Sequence, residues 1–289
     1  MEEQKPLVRN RLIWKITSFS AGKDDLHNLF QKLQERCHAA GEIEVTNFKQ
    51  MGQTDEIYEQ NKKIIKQGFE LRLTVASIDG QELYGGINEI FNSPNFPEQV
   101  KSIYVNSEIP LRVPYNYYPS NSLELLLDFS KPELFNLSIL PSQETPNASN
   151  ITVQGSEATW VHGVFNESSN FIRRHPSKLT WLHKHSIYDL LLWGFGLPFG
   201  FWITYKLSNV LNEIFGNFHS IVQSAAYVYV FIASIFLFSL LFRYARWMWP
   251  LVEFRSSRNI EHKHRIILTT IIIGLISKLI YDLIKVILY

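Results

Sequence analysis

The sequence predicts an α+β domain, with a mixed or antiparallel sheet and flanking helices, followed by a C-terminal helical membrane region of three transmembrane helices. Three observations carry this. Residues 1–175 alternate between strand-like and helix-like spacing of apolar side chains. From residue 187 onward, three apolar runs approach the roughly 20 residues a helix needs to cross hydrocarbon. The charges divide accordingly: 19 basic against 22 acidic residues up to Ser186, and 9 against 5 from Ile187 onward. A mean hydropathy near zero therefore averages two unlike halves.

Residues 11–19, RLIWKITSF, form a strand candidate with Leu12, Trp14 and Ile16 on one face. The stretch 20–50 predicts a helix, because Leu26, Leu29, Leu33, Cys37 and Ala40 recur at three and four; Ser20 or Asp24 caps its start. A second, polar helix is predicted over Thr54–Lys66. Phe69, Leu71, Leu73 and Val75 then alternate with charged residues, and Asp79-Gly80 marks a hairpin. KSIYVNS and IPLRVPYNYYP continue the strand pattern, and Ser122–Ser130 has the apolar density of an inner strand. After the loop at 141–150, ITVQGS is a short strand, and Glu157–Arg174 is a helix leading toward the apolar region. This gives a domain over 1–175, a basic linker over 176–186 and a membrane region over 187–289.

The three crossings are predicted at about 187–206, 221–242 and 266–288. Lys and Arg are retained on the cytoplasmic side of membrane proteins. Arg173, Arg174, Lys178 and Lys184 precede the first run, and Arg243, Arg246, Arg255, Arg258, Lys263 and Arg265 lie between the second and third. The connection 207–220 has no basic residue. The N-terminal domain is thus expected in the cytoplasm of an integral plasma- or inner-membrane protein, with the C-terminus outside. The acidic, non-apolar start MEEQKPLVRN is not a secretory signal. Gly196 and Gly200 form a G-x-x-x-G spacing that lets helices approach closely, and Pro198 between them predicts a kink.

Lys278, Asp282 and Lys285 interrupt the last apolar run at i, i+4, i+7, one helical stripe. A Lys near the midplane costs about 3 kcal/mol, which Asp282 one turn on offsets in part. Three arrangements answer to this stripe: a pore or bundle interior, a docking ion pair, or a last helix lying shallow at the interface, leaving two full crossings.

Catalytic motifs are absent from the sequence: there is no P-loop, no G-x-S-x-G and no H-E-x-x-H. The chain is therefore expected not to be an enzyme and to need no cofactor. Cys37 stands alone, so no internal disulfide forms. His183, His185, His262 and His264 flank lysines at the expected inner surface; headgroup contact is the expected role, and no metal site is assigned. The near-balanced charge argues against nucleic acid as a partner. What remains is a binding or sensing module held by the bilayer, with a protein partner or homo-oligomer; Tyr115, Tyr117 and Tyr118 are its candidate contact surface. An oligomeric pore or membrane-disrupting effector gated by the N-terminal domain is the alternative.

Overall fold

The computed structural model describes residues 8–47, 54–134, 142–256 and 260–288. The chain divides into two compact units, each assembled from three segments. The first takes Met1–Ser130, Asn147–Lys178 and Leu251–Asn259; the second takes Lys131–Pro146, Leu179–Pro250 and Ile260–Tyr289. A linear reading of the sequence puts one boundary near residue 175, whereas the chain visits each unit repeatedly.

The first unit is an α+β fold around an antiparallel sheet of six strands: β1 (Asn10–Lys15), β3 (Arg72–Ser77), β4 (Glu82–Gly86), β5 (Val100–Asn106), β6 (Asn121–Asp128) and β7 (Asn150–Gly155). Their order is β1-β7-β6-β5-β3-β4, and every pairing is antiparallel. Strand alternation fixes which side is dry. Leu73, Val75, Ile103, Val105, Leu123, Leu125, Leu127, Ile151 and Val153 are buried, while their neighbours Arg72, Thr74, Tyr104 and Glu124 keep contact with solvent. The buried set joins Leu26, Leu29, Phe30, Leu33, Cys37 and Ala40 of α1 (Lys23–Asn47) and Trp160, Val161, Val164 and Ile172 of α5 (Ala158–Arg174) in one core. The Trp160 indole N–H donates to the Arg36 carbonyl oxygen at 2.7 Å. That bond lets a large ring sit in the core without stranding its donor.

The start of α1 is satisfied neither by Ser20 nor by Asp24. Asp25, in the first turn, reaches back to accept from the Gly22 N–H at 2.9 Å. Thr54 accepts from the Ile57 N–H at the start of α2 (Asp55–Gly68). The Asp79-Gly80 turn closes the β3–β4 hairpin, with Gly80 at φ 92° and the Asp79 carboxylate accepting from the Gln81 N–H.

The expected strand over 109–119 is instead a short helix, α4 (Ile109–Tyr115). Pro110 occupies the first turn, where its missing N–H costs nothing. Glu108 and Arg112 pair across one turn, and Asn116 ends the helix in the left-handed conformation at φ 50°. Two short elements, α3 (Ile87–Phe91) and the four-residue strand β8 (Val252–Arg255), carry too few residues to show a period. The expected strand 11–19 also breaks: β2 (Phe19–Gly22) leaves the large sheet and pairs in parallel with β8.

In the second unit, α6 (Ile187–Leu191), a π turn (Leu192–Gly196) and α7 (Leu197–Phe215) run as one helical stretch, and α8 (Ser220–Met248) follows after a short turn. Both stretches are long and apolar enough to cross a membrane. Each is longer than expected: α7 continues through the residues assigned to a connection, and α8 runs past Arg243 and Arg246 before Pro250 stops it. The π turn stands immediately before Pro198; widening the turn makes room for a ring that would otherwise press on the preceding carbonyl. The last apolar run forms a single helix, α9 (Ile260–Leu288), beginning six residues earlier than expected.

Gly155 has no room for a side chain: a Cβ there would lie 2.0 Å from Asn121 Oδ1 and 3.2 Å from the Asn121 Cα. Gly155→Ala should therefore destabilise the first unit by about 2 kcal/mol, measured as a lower urea midpoint with an unchanged slope.

Candidate functional site

The C-terminal end of α2, the strands β3 and β4, and α4 enclose a cleft of about 380 Å³ in the first unit. Its walls are Ile64 and Gln67 of α2, Arg72 of β3, Tyr84 of β4, and Ile109, Pro110, Val113, Pro114 and Tyr115 from α4. Gly68 explains how two helices close one side. A Cβ at that position would fall 2.2 Å from Leu111 Cδ2, so only glycine lets α4 come this near. Gln34 of α1 ties down the connection from α2 to β3: its amide donates to the Phe69 carbonyl at 3.0 Å and accepts from the Leu71 N–H at 2.7 Å. The Arg72 guanidinium lies 5.9 Å from the Tyr84 ring centroid. Among the described residues no strand pairs with the outer edge of β4.

The three tyrosines expected as a contact surface divide into two roles. Tyr115 and Tyr118 are 56% and 55% exposed, and Tyr115 forms part of the cleft wall. Tyr117 turns inward and donates its hydroxyl to the Glu44 carboxylate. Glu44, buried near the end of α1, also accepts from the Ser120 N–H at 2.8 Å and from its hydroxyl at 3.1 Å. Burial first, and the Glu44 carboxylate second, push the Tyr117 phenol well above its ordinary range. Tyr117 is thus the anchor of the 116–120 loop, and its neighbours are what that loop presents.

In the second unit Gly196 and Gly200 both face α8. A Cβ at Gly196 would lie 2.8 Å from Phe238 Cδ1, and one at Gly200 would lie 3.0 Å from Phe231 Cε2. The two glycines therefore receive aromatic rings from α8.

The basic residues expected at an inner surface are used in several ways. Arg174, Lys178, Lys184 and Lys263 are exposed. Arg173 lies over the Trp14 ring at 5.4 Å, and Arg255 pairs with Asp25 at 2.6 Å. Arg243 and Arg246 are buried, and Arg246 donates to the carbonyl oxygens of Leu182 and Gln143 at 2.8 and 3.1 Å. Arg265 donates to the Met248 carbonyl at 2.7 Å. Arg258 lies outside the described residues. Lys278, Asp282 and Lys285 fall on α9, and their side chains lie outside the described residues.

His183 is buried beside this arginine group. Its Nε2 donates to the Trp249 carbonyl at 2.6 Å, leaving Nδ1 to accept from the Thr145 hydroxyl at 2.8 Å. His264 instead meets the Tyr244 hydroxyl. Among the described residues no three His, Cys, Asp or Glu side chains are grouped so as to hold a metal ion. Sequence reasoning missed the His183 and Glu44 hubs. Each joins segments far apart in the chain, and only Glu44's place in line with the apolar stripe of α1, four residues after Ala40, signalled it. No protein-family model, no curated protein and no solved structure matches the chain.

Two outcomes follow from these hubs. Glu44→Ala strands the Tyr117 hydroxyl and the Ser120 N–H, and should cost about 3 kcal/mol; the urea midpoint of the first unit measures it. Burial, with Arg246 nearby, holds the His183 pKa below its ordinary value of about 6.5. The stability this neutral imidazole supports is complete above that value and is lost as pH falls below it. The thermal midpoint in detergent should drop between about pH 7.5 and 5.5, with a shallower slope in His183→Gln.

Proposed function

We propose that this chain is a membrane-anchored recognition protein. Its first unit works on the cytoplasmic face, where the cleft bounded by α2, α4 and β4 takes an extended segment of a protein partner. The observation that carries this reading is the cleft itself. It combines two solvent-facing tyrosines, two prolines and an arginine with the open backbone edge of β4. Rigid rings give contact area at little entropic cost. An edge strand offers backbone donors and acceptors to an incoming extended chain. Arg72 supplies a planar cation for an acidic side chain of that segment.

The helices supply the anchor. The α6–α7 stretch and α8 each run 29 residues, about 43 Å at 1.5 Å per residue, enough to cross hydrocarbon with a margin at each end. The α9 helix is the third crossing. The exposed Arg174, Lys178, Lys184 and Lys263 keep the first unit and the α8–α9 connection inside, and the C-terminus ends outside. An assembly of copies that encloses a conducting path is the second reading, and the exposed Ile267, Ile271 and Tyr281 among the described side chains of α9 favour it. Within one chain, rings from α8 fill the space beside Gly196 and Gly200.

A photo-crosslinking residue in place of Tyr115 should give a discrete adduct in native membranes, and one in place of Ile13 on the opposite sheet edge should not. Tyr115→Ser with Tyr118→Ser, introduced around a probe at Tyr84, should abolish the adduct while leaving membrane insertion intact. Equal adducts at residues 13 and 115, or an adduct indifferent to both tyrosines, would remove the cleft from this role.

A further inference from the structure

The second unit enters the α6–α7 stretch through two chain reversals. Leu179 and Ser186 both stand in the left-handed conformation, at φ 54° and 60°, where residues other than glycine are uncommon. Between them Thr180–His183 make a single 3₁₀ turn. The inner side of this turn is fixed. Leu182 and His183 are buried, His183 bonds Thr145 and the Trp249 carbonyl, and the Leu182 carbonyl accepts from Arg246. The Ser186 N–H donates to the Ser142 carbonyl at 2.9 Å, which closes the second reversal.

The outer side has the opposite character. Leu179 is 38% and Trp181 44% exposed, and Lys184 and His185 follow them, both exposed. Among the described residues the Trp181 indole N–H meets no acceptor and Lys184 pairs with no carboxylate. Glu144, exposed next to Thr145 in the chain, pairs with neither Lys184 nor His185. A rigid, strained turn thus holds two apolar side chains and a free cation outward.

The sequence that follows indicates what covers them. Asp189 is the last charged residue before Leu190–Tyr205, a run with no Asp, Glu, Lys or Arg, and Leu190 and Trp193 at its start are exposed. With the α6–α7 stretch in a bilayer, hydrocarbon begins at about Leu190 and the turn stands at the headgroups. A ring with an apolar body and an N–H donor suits that layer. Lys184 in front of the turn and Arg246 behind it make its charge positive, which anionic headgroups complement.

We infer that residues 179–185 form a headgroup clip for an anionic phospholipid. Leu179 and Trp181 sink among the lipid glycerol groups, and Lys184 binds the phosphate with His185 at its side. This rests on the reading of the α6–α7 stretch as a membrane crossing, and it adds a lipid preference that anchoring alone does not require.

The full chain, purified and reconstituted in vesicles of phosphatidylcholine alone or in equal parts with phosphatidylglycerol, tests this. Single added cysteines carry a fluorescent probe, since Cys37 is buried. A probe at Leu179→Cys should be quenched by a quencher attached at the lipid headgroup and shielded from aqueous iodide. One at Trp202→Cys, an exposed position of α7, should be quenched from deep in the acyl chains and reports the crossing itself. Native mass spectrometry from the mixed vesicles should show phosphatidylglycerol retained in excess over phosphatidylcholine. Lys184→Gln should lower that excess about fivefold, the effect of one cation at an anionic surface, and Trp181→Ser should open position 179 to iodide. A probe at position 202 beyond reach of the deep quencher would overturn the crossing and the clip together. With that probe quenched, iodide access at position 179, or a phosphatidylglycerol excess that is absent or indifferent to Lys184→Gln, would overturn the clip alone. Shielding of position 179 in native membranes but not in vesicles would assign the turn to a protein partner instead.

Discussion

Four residues of extended chain control how this protein is put together. Val252–Arg255 lies in sequence between two long apolar helices, yet it is a strand of the first unit, paired in parallel with Phe19–Gly22. Phe19 donates to the Leu251 carbonyl at 3.0 Å, and Phe254 packs against Phe96 and Phe129. Magnitudes show what holds it. Burying Val252 and Phe254 contributes about 2 kcal/mol each, whereas the half-exposed Arg255–Asp25 pair contributes about 0.5 kcal/mol. The strand is held by its apolar side chains, with the ion pair fixing the register. A connection that would otherwise swing as a basic loop is thereby tied at both ends, after α8 and before α9.

That tie accounts for the uneven legibility of the fold. Elements whose side chains repeat over several turns or pleats were readable: α1, α2, α5, the β3–β4 hairpin around Gly80, and β6 with its dense apolar pattern. Elements set by partners distant in sequence were not. The strand β8 is too short to show alternation, and its basic surroundings read as a membrane-flanking loop. The segment 109–119 alternates like a strand, but two prolines and the Glu108–Arg112 pair suit a short helix, and a helix is what lets Leu111 settle over Gly68. Helix ends were misplaced because hydropathy marks where hydrocarbon-like residues stop, whereas the backbone stops where its hydrogen bonds do. Thus α8 runs on through Arg243 and Arg246.

The sites follow the same logic. Tyrosines at 115, 117 and 118 look equivalent in sequence, and residue 117 differs only because Glu44, 73 positions earlier, waits beneath it. Arginines beside an apolar run look like topology signals. Two of them instead lie buried, and Arg246 closes backbone carbonyls that would be costly to leave without donors. The positive-inside argument then rests on the exposed Arg174, Lys178, Lys184 and Lys263, which are fewer than the raw count but of the same sign.

One contrast within the second unit gives α9 its distinct character. The α6–α7 stretch and α8 spend their small residues on each other: Gly196 and Gly200 take rings from α8, and Thr204 and Ser234 return their hydroxyls to their own helix. Outward, the pair presents mainly apolar and aromatic side chains, Tyr205 and Tyr229 among them. The last helix keeps its glycine uncovered and carries charges in an apolar run. Among the described residues, its polar contacts with the rest of the unit lie in its first turns, where Glu261 meets Lys131, His264 meets Tyr244 and Arg265 donates to the Met248 carbonyl. Those turns follow β8 by only a few residues, so the strand that completes the first unit leads directly into the last helix.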